Sequence, residues 1–406
     1  MFDIKINEIN NTSVPNEGSF LQTPFWAEFK SNHGWTHKRF LIEIKYNNEE
    51  EQKSVVKQDE VSVLSRSICK NIFSIAYIPL YPSLLFPCSD CDFSTDTSDS
   101  NNEIVIKEEL VTPETQSIEF ATLMQEIALK LQPFLNKNTM CVRFDPNVDF
   151  DNPEDRDLFN YGLKLISFAD RLKLKKNNVD IQPPDSTLIN LTSDEESILN
   201  LMKPKWRYNI KLASKKGVKI ERILGNNINL STKLDIFYDL YQTTAKRDGI
   251  SIHQKSYYRD LLEKSSKEID EGKDVPVISL YLASNEDDYL GAIITLFSKT
   301  ESVYLYGCSS NIKRNLMPNF LLQWTAMRDA KLYGSKYYDM YGMPPTDDEN
   351  HPMHGLYLFK TGFGGKNIHR CGTYDVQLNF VSSLFNLAET LRAFWHKKIL
   401  KIIRGR

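Results

Sequence analysis

VISLYLA (Val277–Ala283), YLGAIITLF (Tyr289–Phe297), VYLYGC (Val303–Cys308), PNFLLQWTAMRDAKLY (Pro318–Tyr333) and KYYDMY (Lys336–Tyr341) decide the fold. The first three runs are short, rich in β-branched and aromatic residues, and joined by polar turns, so an antiparallel meander is expected. The fourth opens on Pro318 and is followed by Gly334, the order in which helices begin and end, and a further strand comes after it. Upstream, Thr232–Lys246 and Ser256–Lys267 carry helical periodicity. The first half repeats this order loosely, with a helix at Thr23–Lys30, strands near Phe40–Ile44, Ser54–Leu64 and Phe73–Ile78, a helix at Ile118–Leu135 and a strand at Met140–Phe144. The expectation is an α+β fold of two tandem units, each a mixed, mostly antiparallel sheet with flanking helices. The first spans residues 1–180, completed by 372–406, and the second spans 181–371. Polar, acidic stretches at Asn47–Glu60 and Ser89–Asn102 read as exposed loops, because they offer charge and turn formers but little to bury.

A chain of 406 residues is too long for one ordinary domain and suits such a pair. Fifty basic residues stand against 53 acidic ones, which excludes a global polycation and leaves nucleic-acid contact to a local patch. Of six cysteines only Cys88 and Cys91 share a CxxC spacing, without a second pair or a nearby His, so free thiols in a reducing cytosol are expected. The N-terminal MFDIKINEIN lacks the apolar core of a signal peptide. Pro79, Pro82 and Pro87 interrupt the longest apolar stretch, Phe73–Cys88, and no segment supplies the ~20 apolar residues of a spanning helix, so a cytoplasmic protein is expected.

Five blocks then stand in a characteristic order: FLQTPFWAEFK at Phe20–Lys30, VRFDP at Val142–Pro146, QPPDSTLINLT at Gln182–Thr192 with KPKWRYNIKLASKKGV at Lys203–Val218, PNFLLQWTAMRDA at Pro318–Ala330, and GLYLFKTGFGG at Gly355–Gly365. With these blocks the chain resembles the FemABX family of aminoacyltransferases. It departs from the family where an Arg-Gly-Pro turn often follows the first-domain strand, having IPLYPS at Ile78–Ser83 instead. Only Leu261–Asp274 separates Tyr257–Tyr258 from the meander, so the long helical arm of some members has no room. The resemblance implies a doubled acetyltransferase-like (GNAT-like) fold. It also implies transfer of an amino acid from aminoacyl-tRNA to the side-chain amine of the stem peptide of a peptidoglycan precursor, lipid-linked or nucleotide-linked. The ester is already activated, so no cofactor is expected; the site must align an amine and stabilise an oxyanion.

Candidate residues follow from both sources. Lys203–Arg222 holds eight Lys or Arg and one acid, and a helix from Pro204 to Lys216 would align Arg207, Lys211 and Lys215 on one stripe, with Trp206, Ile210 and Ala213 anchoring it. By itself this is a solvated face; the resemblance implies that Arg207 holds precursor phosphate, for which a guanidinium fork is suited. Lys30, alone a surface lysine, is implied to contact the same precursor. Asp145 after its strand is either a turn cap or, by resemblance, the group that orients or deprotonates the amine. Tyr304 and Tyr306 alternate with Leu305, so both rings should share one face of a strand. The resemblance implies that a Tyr of this strand lies beside the reacting groups, with Tyr306 favoured. Glycines at 362, 364 and 365 would let backbone approach a ligand, or mark a tight turn. Phe359 and Lys360 match the family pair at the tRNA acceptor end, with Lys366 and Arg370 extending the positive charge. His351 and His354 lack a third ligand, so no metal is expected.

Leu391–Arg406 interleaves five basic residues with apolar ones, which reads either as a helix docked on the first domain or as a peripheral contact with the anionic inner face of the membrane. Two rivals remain: an acyl-CoA-dependent N-acyltransferase, disfavoured because Ser309–Asn319 contains no Gly, and a non-catalytic protein that binds tRNA or precursor.

Overall fold

The structure, a computed structural model, describes residues 2–10, 19–48, 53–84 and 113–394. In chain order the elements are β1 (Phe2–Ile9), α1 (Pro24–Ser31), β2 (Thr36–Asn48), β3 (Lys53–Ile68), β4 (Phe73–Ser83), α2 (Pro113–Leu131), β5 (Thr139–Asn147), β6 (Asp149–Phe150), α3 (Pro153–Ala169) and β7 (Leu174–Lys176). There follow β8 (Asp185–Asn190), α4 (Glu195–Leu201), α5 (Pro204–Lys215), β9 (Lys219–Ile223), α6 (Leu230–Asp248), α7 (Lys255–Asp270), β10 (Val277–Asn285), β11 (Asp288–Phe297) and β12 (Glu301–Ser309). The chain closes with α8 (Pro318–Tyr333), β13 (Tyr337–Asp339), α9 (His354–Thr361), β14 (Lys366–Arg370), β15 (Tyr374–Gln377) and α10 (Val381–Phe394).

Two compact units emerge, one of residues 1–10, 35–184 and 368–406, the other of 11–34 and 185–367. This grouping differs from the sequence expectation for residues 11–34, which carry α1: Lys264 on α7 pairs with Glu28 at 2.9 Å, and Glu301 accepts from the Phe20 amide at 3.1 Å. The chain returns to the first unit within β14.

The first unit's sheet runs β1-β2-β3-β4-β5-β15-β7, and only β4 and β5 pair in parallel. α2 covers it with Phe120, Leu123, Met124, Ile127 and Leu131, a buried stripe at helical spacing. In the second unit the order β8-β13-β12-β11-β10-β9 has a single parallel pair too, β12 with β13. Both parallel pairs have one cause: a meander ends, a helix crosses the sheet, and the next strand returns beside the meander's last one. The expected doubled, acetyltransferase-like α+β architecture is therefore present.

Where the expected loop Asn47–Glu60 overlaps the expected strand Ser54–Leu64, the strand prevails, and β2 also runs on through Asn48. Lys53–Glu60 pairs residue by residue with Leu41–Asn48 of β2, and further along β3 Val61 and Val63 enter the core. The strand tolerates the charges of the expected loop because the ladder satisfies the backbone even where both side-chain faces are partly wet. The other expected loop, Ser89–Asn102, and the Cys88–Cys91 pair lie outside the described residues.

In the second unit α6 and α7 cover one face of the sheet through Leu234, Phe237, Tyr258, Leu261 and Leu262. α5 and α8 cover the other, where Ile210, Ala213, Leu322, Ala326 and Ala330 bring the helices close.

Candidate functional site

The side chains of β12 are set by an irregularity. Ile294 pairs with Tyr306 while Thr295 pairs with Tyr304, so Leu305 is an extra residue that bulges the strand. The expected shared face is thereby corrected: the bulge puts the two rings on opposite faces. Tyr306 meets α6 and α7, with ring centroids 5.1 Å from Tyr258 and 6.5 Å from Tyr241. Tyr304 packs with the α8 side, next to Gln323, its hydroxyl over Gly307 where any Cβ would collide with it.

Around Tyr306 a basic aromatic cluster forms. Tyr257 hydrogen-bonds to Tyr306, and burial followed by this neighbour raises the Tyr306 phenol far above the ordinary range. Lys30 lies 5.5 Å from the Tyr257 centroid and 5.9 Å from that of Trp26. His253 stacks on Tyr257 at 4.0 Å and 12°, and His33 approaches the same ring at 4.7 Å. Burial and the Lys30 charge lower both imidazole pKa values, opposed at His33 by Asp260, 3.5 Å away. Lys30 and Tyr306 were sequence candidates, whereas His33, His253 and Tyr257 were not. The spacing His253-x-x-x-Tyr257-Tyr258 is visible in the chain, but nothing local ties it to Lys30.

Lys360 ends α9 fully buried, and its Nζ donates to the carbonyls of Met340, Tyr341 and Gly342 at 2.6, 2.8 and 2.8 Å. Burial pushes the amine down to about 7, against the pull of Asp339. Three carbonyl acceptors nevertheless match an ammonium, since they leave no direction for the lone pair of a neutral amine. The charge also lies 5.0 Å from the Tyr304 centroid. All three protons of Lys360 are thus taken by the chain itself, fixing a turn in which Tyr341 has a positive φ of 58°.

The glycines after Lys360 serve packing within the unit. A Cβ on Gly362 would sit 2.2 Å from the Trp206 ring, one on Gly364 2.3 Å from the Leu201 carbonyl, and one on Gly365 2.5 Å from that of Leu188. Trp206 Nε1 donates to the Phe359 carbonyl at 2.9 Å, and the Phe359 ring meets Phe320 and Phe363, each at 5.3 Å. Tyr304, Phe320 and Phe359 line an open cavity of about 380 Å³ together with Thr244, Asn319, Gln323 and Arg314.

Arg207 lies on α5 as expected, but its Nη1 donates to the carbonyls of Leu199, Asn200 and Met202 and so caps α4. Lys211 and Lys215 on the stripe are exposed. In the first unit, Asp145 is buried and accepts from Tyr77 at 2.5 Å, from the Gln182 amide at 3.3 Å and from Thr373. Burial raises its pKa despite these donors. Lys366 is exposed, and Arg370 pairs with Asp149 at 3.4 Å. His354 pairs with Asp347 at 2.6 Å, and no cluster suited to a metal occurs among the described residues.

The FemAB family matches residues 119–270 and 278–391, more than half of the chain. The chain belongs to the FemAB family. This FemAB protein is 22% identical to a lipid II:glycine glycyltransferase of Staphylococcus saprophyticus, over 96% of its own length and 94% of the relative's. A lipid II:glycine glycyltransferase of Staphylococcus aureus is 24% identical, over 97% and 95% respectively. The crystal structure of FemX superposes with a TM-score of 0.62 at 20% identity, covering 94% of this chain and 100% of that one. As expected for an armless FemAB protein, α7 ends at Asp270 and β10 begins at Val277 with no inserted arm. No described helix is long and apolar enough to cross a membrane.

Chemically, the second unit of this FemAB protein offers two things. One is a cavity of mixed polarity lined by aromatic rings; the other is a cluster in which the Lys30 ammonium meets Tyr257, flanked by His33, His253 and Tyr306. Cys308, which lines the cavity, is no activated nucleophile, because burial raises its thiol well above its ordinary pKa. The arrangement suits acyl transfer between two bound substrates without a covalent enzyme intermediate.

Proposed function

We propose that this FemAB protein transfers an amino acid from aminoacyl-tRNA to the side-chain amine of the stem peptide of a lipid-linked peptidoglycan precursor, forming part of an interpeptide bridge. Family membership and glycyltransferase relatives make the chain an aminoacyltransferase. The observation that supports the finer reading is that one unit carries both the Lys30–Tyr257–Tyr306 cluster and the cavity lined by Tyr304 and Phe359, on the two faces of β12.

In this reading Lys30 and Arg207 hold the precursor's phosphates. Arg207 Nη1 is fixed by three carbonyls, which presents Nε and Nη2 in a set orientation. The aromatic cavity takes the terminal adenosine and its ester, with Arg314 beside a phosphate and Lys366 and Arg370 along the acceptor stem. The attacking amine loses its proton and forms the amide bond as the ester C–O bond breaks, and the leaving ribose oxygen takes up a proton. Tyr306, on the other face of β12 from that cavity, holds Tyr257 in place beside Lys30 on the precursor side. Lys360 contributes a fixed positive charge and a fixed turn, acting through Tyr341 and Tyr304 and not by touching phosphate. Asp145, enclosed by three donors, frames the first unit.

The test is reconstituted transfer with labelled aminoacyl-tRNA, against acyl-CoA as rival donor, onto lipid-linked and nucleotide-linked precursors. Label from tRNA on the lipid-linked acceptor is expected. Transfer only from acyl-CoA, or none from a folded protein, would overturn the reading.

A further inference from the structure

α10 has two unlike faces. Its inner face is committed to the first unit: Val381 and Phe385 pack against Ile75, Met140 and Cys141, Ser382 is buried, and Glu389 accepts from Arg143 at 2.7 and 3.3 Å. Arg143 also forks onto Asp375 at 2.7 and 2.9 Å, so this helix is held by a buried charge network as well as by apolar contact.

Among the described residues the outer face has no such partner. Phe380 just before the helix is 79% exposed, and Leu384, Leu387 and Leu391 are 60%, 55% and 60% exposed. From Leu384 these recur at i, i+3 and i+7, which lines them up on one side of the helix. Ser383 and Ala388 are the other exposed positions described there, so the described outer face carries no charge. A helix facing bulk water normally carries charge on that side, and a row of leucines there has a use only when something apolar covers it.

The sequence that follows identifies the cover. WHKKILKIIRGR at Trp395–Arg406 has five Lys or Arg and no acid, in a protein whose net charge is −3. An apolar helical face followed in sequence by a basic, Trp- and Ile-containing segment is the composition that suits the interface of an anionic bilayer: leucines enter the acyl boundary and cations meet the headgroups. A second copy of the chain fits less well, since two such basic segments brought together would repel.

We propose that the outer face of α10, centred on Leu384, Leu387 and Leu391, docks this protein on an anionic lipid surface. The inference deepens the proposed function, because a lipid-linked acceptor has to be met at a bilayer. Its test reads binding and not transfer, so the two can fail separately.

Full-length protein is to be sedimented with vesicles of phosphatidylcholine plus phosphatidylglycerol, and with phosphatidylcholine alone. Binding to the anionic vesicles is expected, weakening as salt rises. The triple variant Leu384→Gln, Leu387→Gln, Leu391→Gln changes only exposed positions; it should keep its melting temperature and its transfer to lipid-linked precursor dispersed in detergent, yet bind the anionic vesicles at least about tenfold more weakly. A second variant, Lys397→Glu with Lys398→Glu and Lys401→Glu, should also lose binding. Three results overturn the proposal: no binding of the unaltered protein to either vesicle, equal binding by the triple leucine variant, or a dimer in light scattering that the leucine variant converts to monomer without changing vesicle binding.

Discussion

At the scale of single residues, Lys360 gives all three protons of its ammonium to backbone carbonyls. Replacing it by Met leaves the carbonyls of residues 340–342 buried without donors, each costing about 1–3 kcal/mol. Lys360→Met is therefore expected to lose stability in urea unfolding as well as turnover; unchanged stability would show that the three carbonyls find other partners and that the lysine is no peg. For Arg207, Arg207→Lys keeps the charge but loses the fork, and the expected outcome is a rise of roughly tenfold in the KM for precursor with the KM for tRNA little changed. Equal effects on both substrates would count against the phosphate assignment. The lowered pKa values of His33 and His253 set a pH dependence whose sign is definite. Below the ordinary value of 6.5 the unfolded chain takes up protons that the folded one resists, so stability falls as pH drops through 6.5 until the folded values are passed. In His33→Gln plus His253→Gln that slope between neutral and mildly acidic pH should flatten, as followed by thermal melts across the range.

Among the elements, α9 is seated by glycines and β12 is re-aimed by one extra residue. Gly362→Ala forces a Cβ to within 2.2 Å of the Trp206 ring, whereas Gly355→Ala meets nothing within 4 Å. The first should destabilise by about 1–3 kcal/mol and the second should stay within about 0.5 kcal/mol of the parent, both by chemical denaturation. If the two alanines behave alike, the close seating of α9 against α5 is not what the glycines serve. The bulge at Leu305 was not legible in VYLYGC, because strict alternation is the only signal a strand gives and a one-residue offset appears only against the partner strand. Helices fared better: α8 begins and ends where Pro318 and Gly334 predict, and α5 carries Ile210 and Ala213 inward as the spacing requires.

For the molecule as a whole, loss of the protein from its cell should remove the residue attached to the side-chain amine of the cell-wall stem peptide. Mass spectrometry of wall peptides with and without the gene reads this directly, and identical peptides would exclude a role in bridge synthesis. The tandem architecture was legible because each unit repeats one order of strong local patterns, a meander, a capped helix and a strand. Residues 11–34 escaped that logic, since their place with the second unit depends on Glu28 and Phe20 meeting Lys264 and Glu301, more than two hundred residues away.

Sequence alone determined the fold class, the family and the residue types available for holding a phosphate and an ester, because periodicity, helix ends and ordered motif blocks are properties of neighbouring residues. Tertiary structure decided how those residues are used. It buried Lys360 among three carbonyls, turned Arg207 onto α4, enclosed Asp145, split Tyr304 from Tyr306 and gathered His33 and His253 around Tyr257. Each of these depends on desolvation or on a partner distant in the chain, and neither is encoded in local pattern.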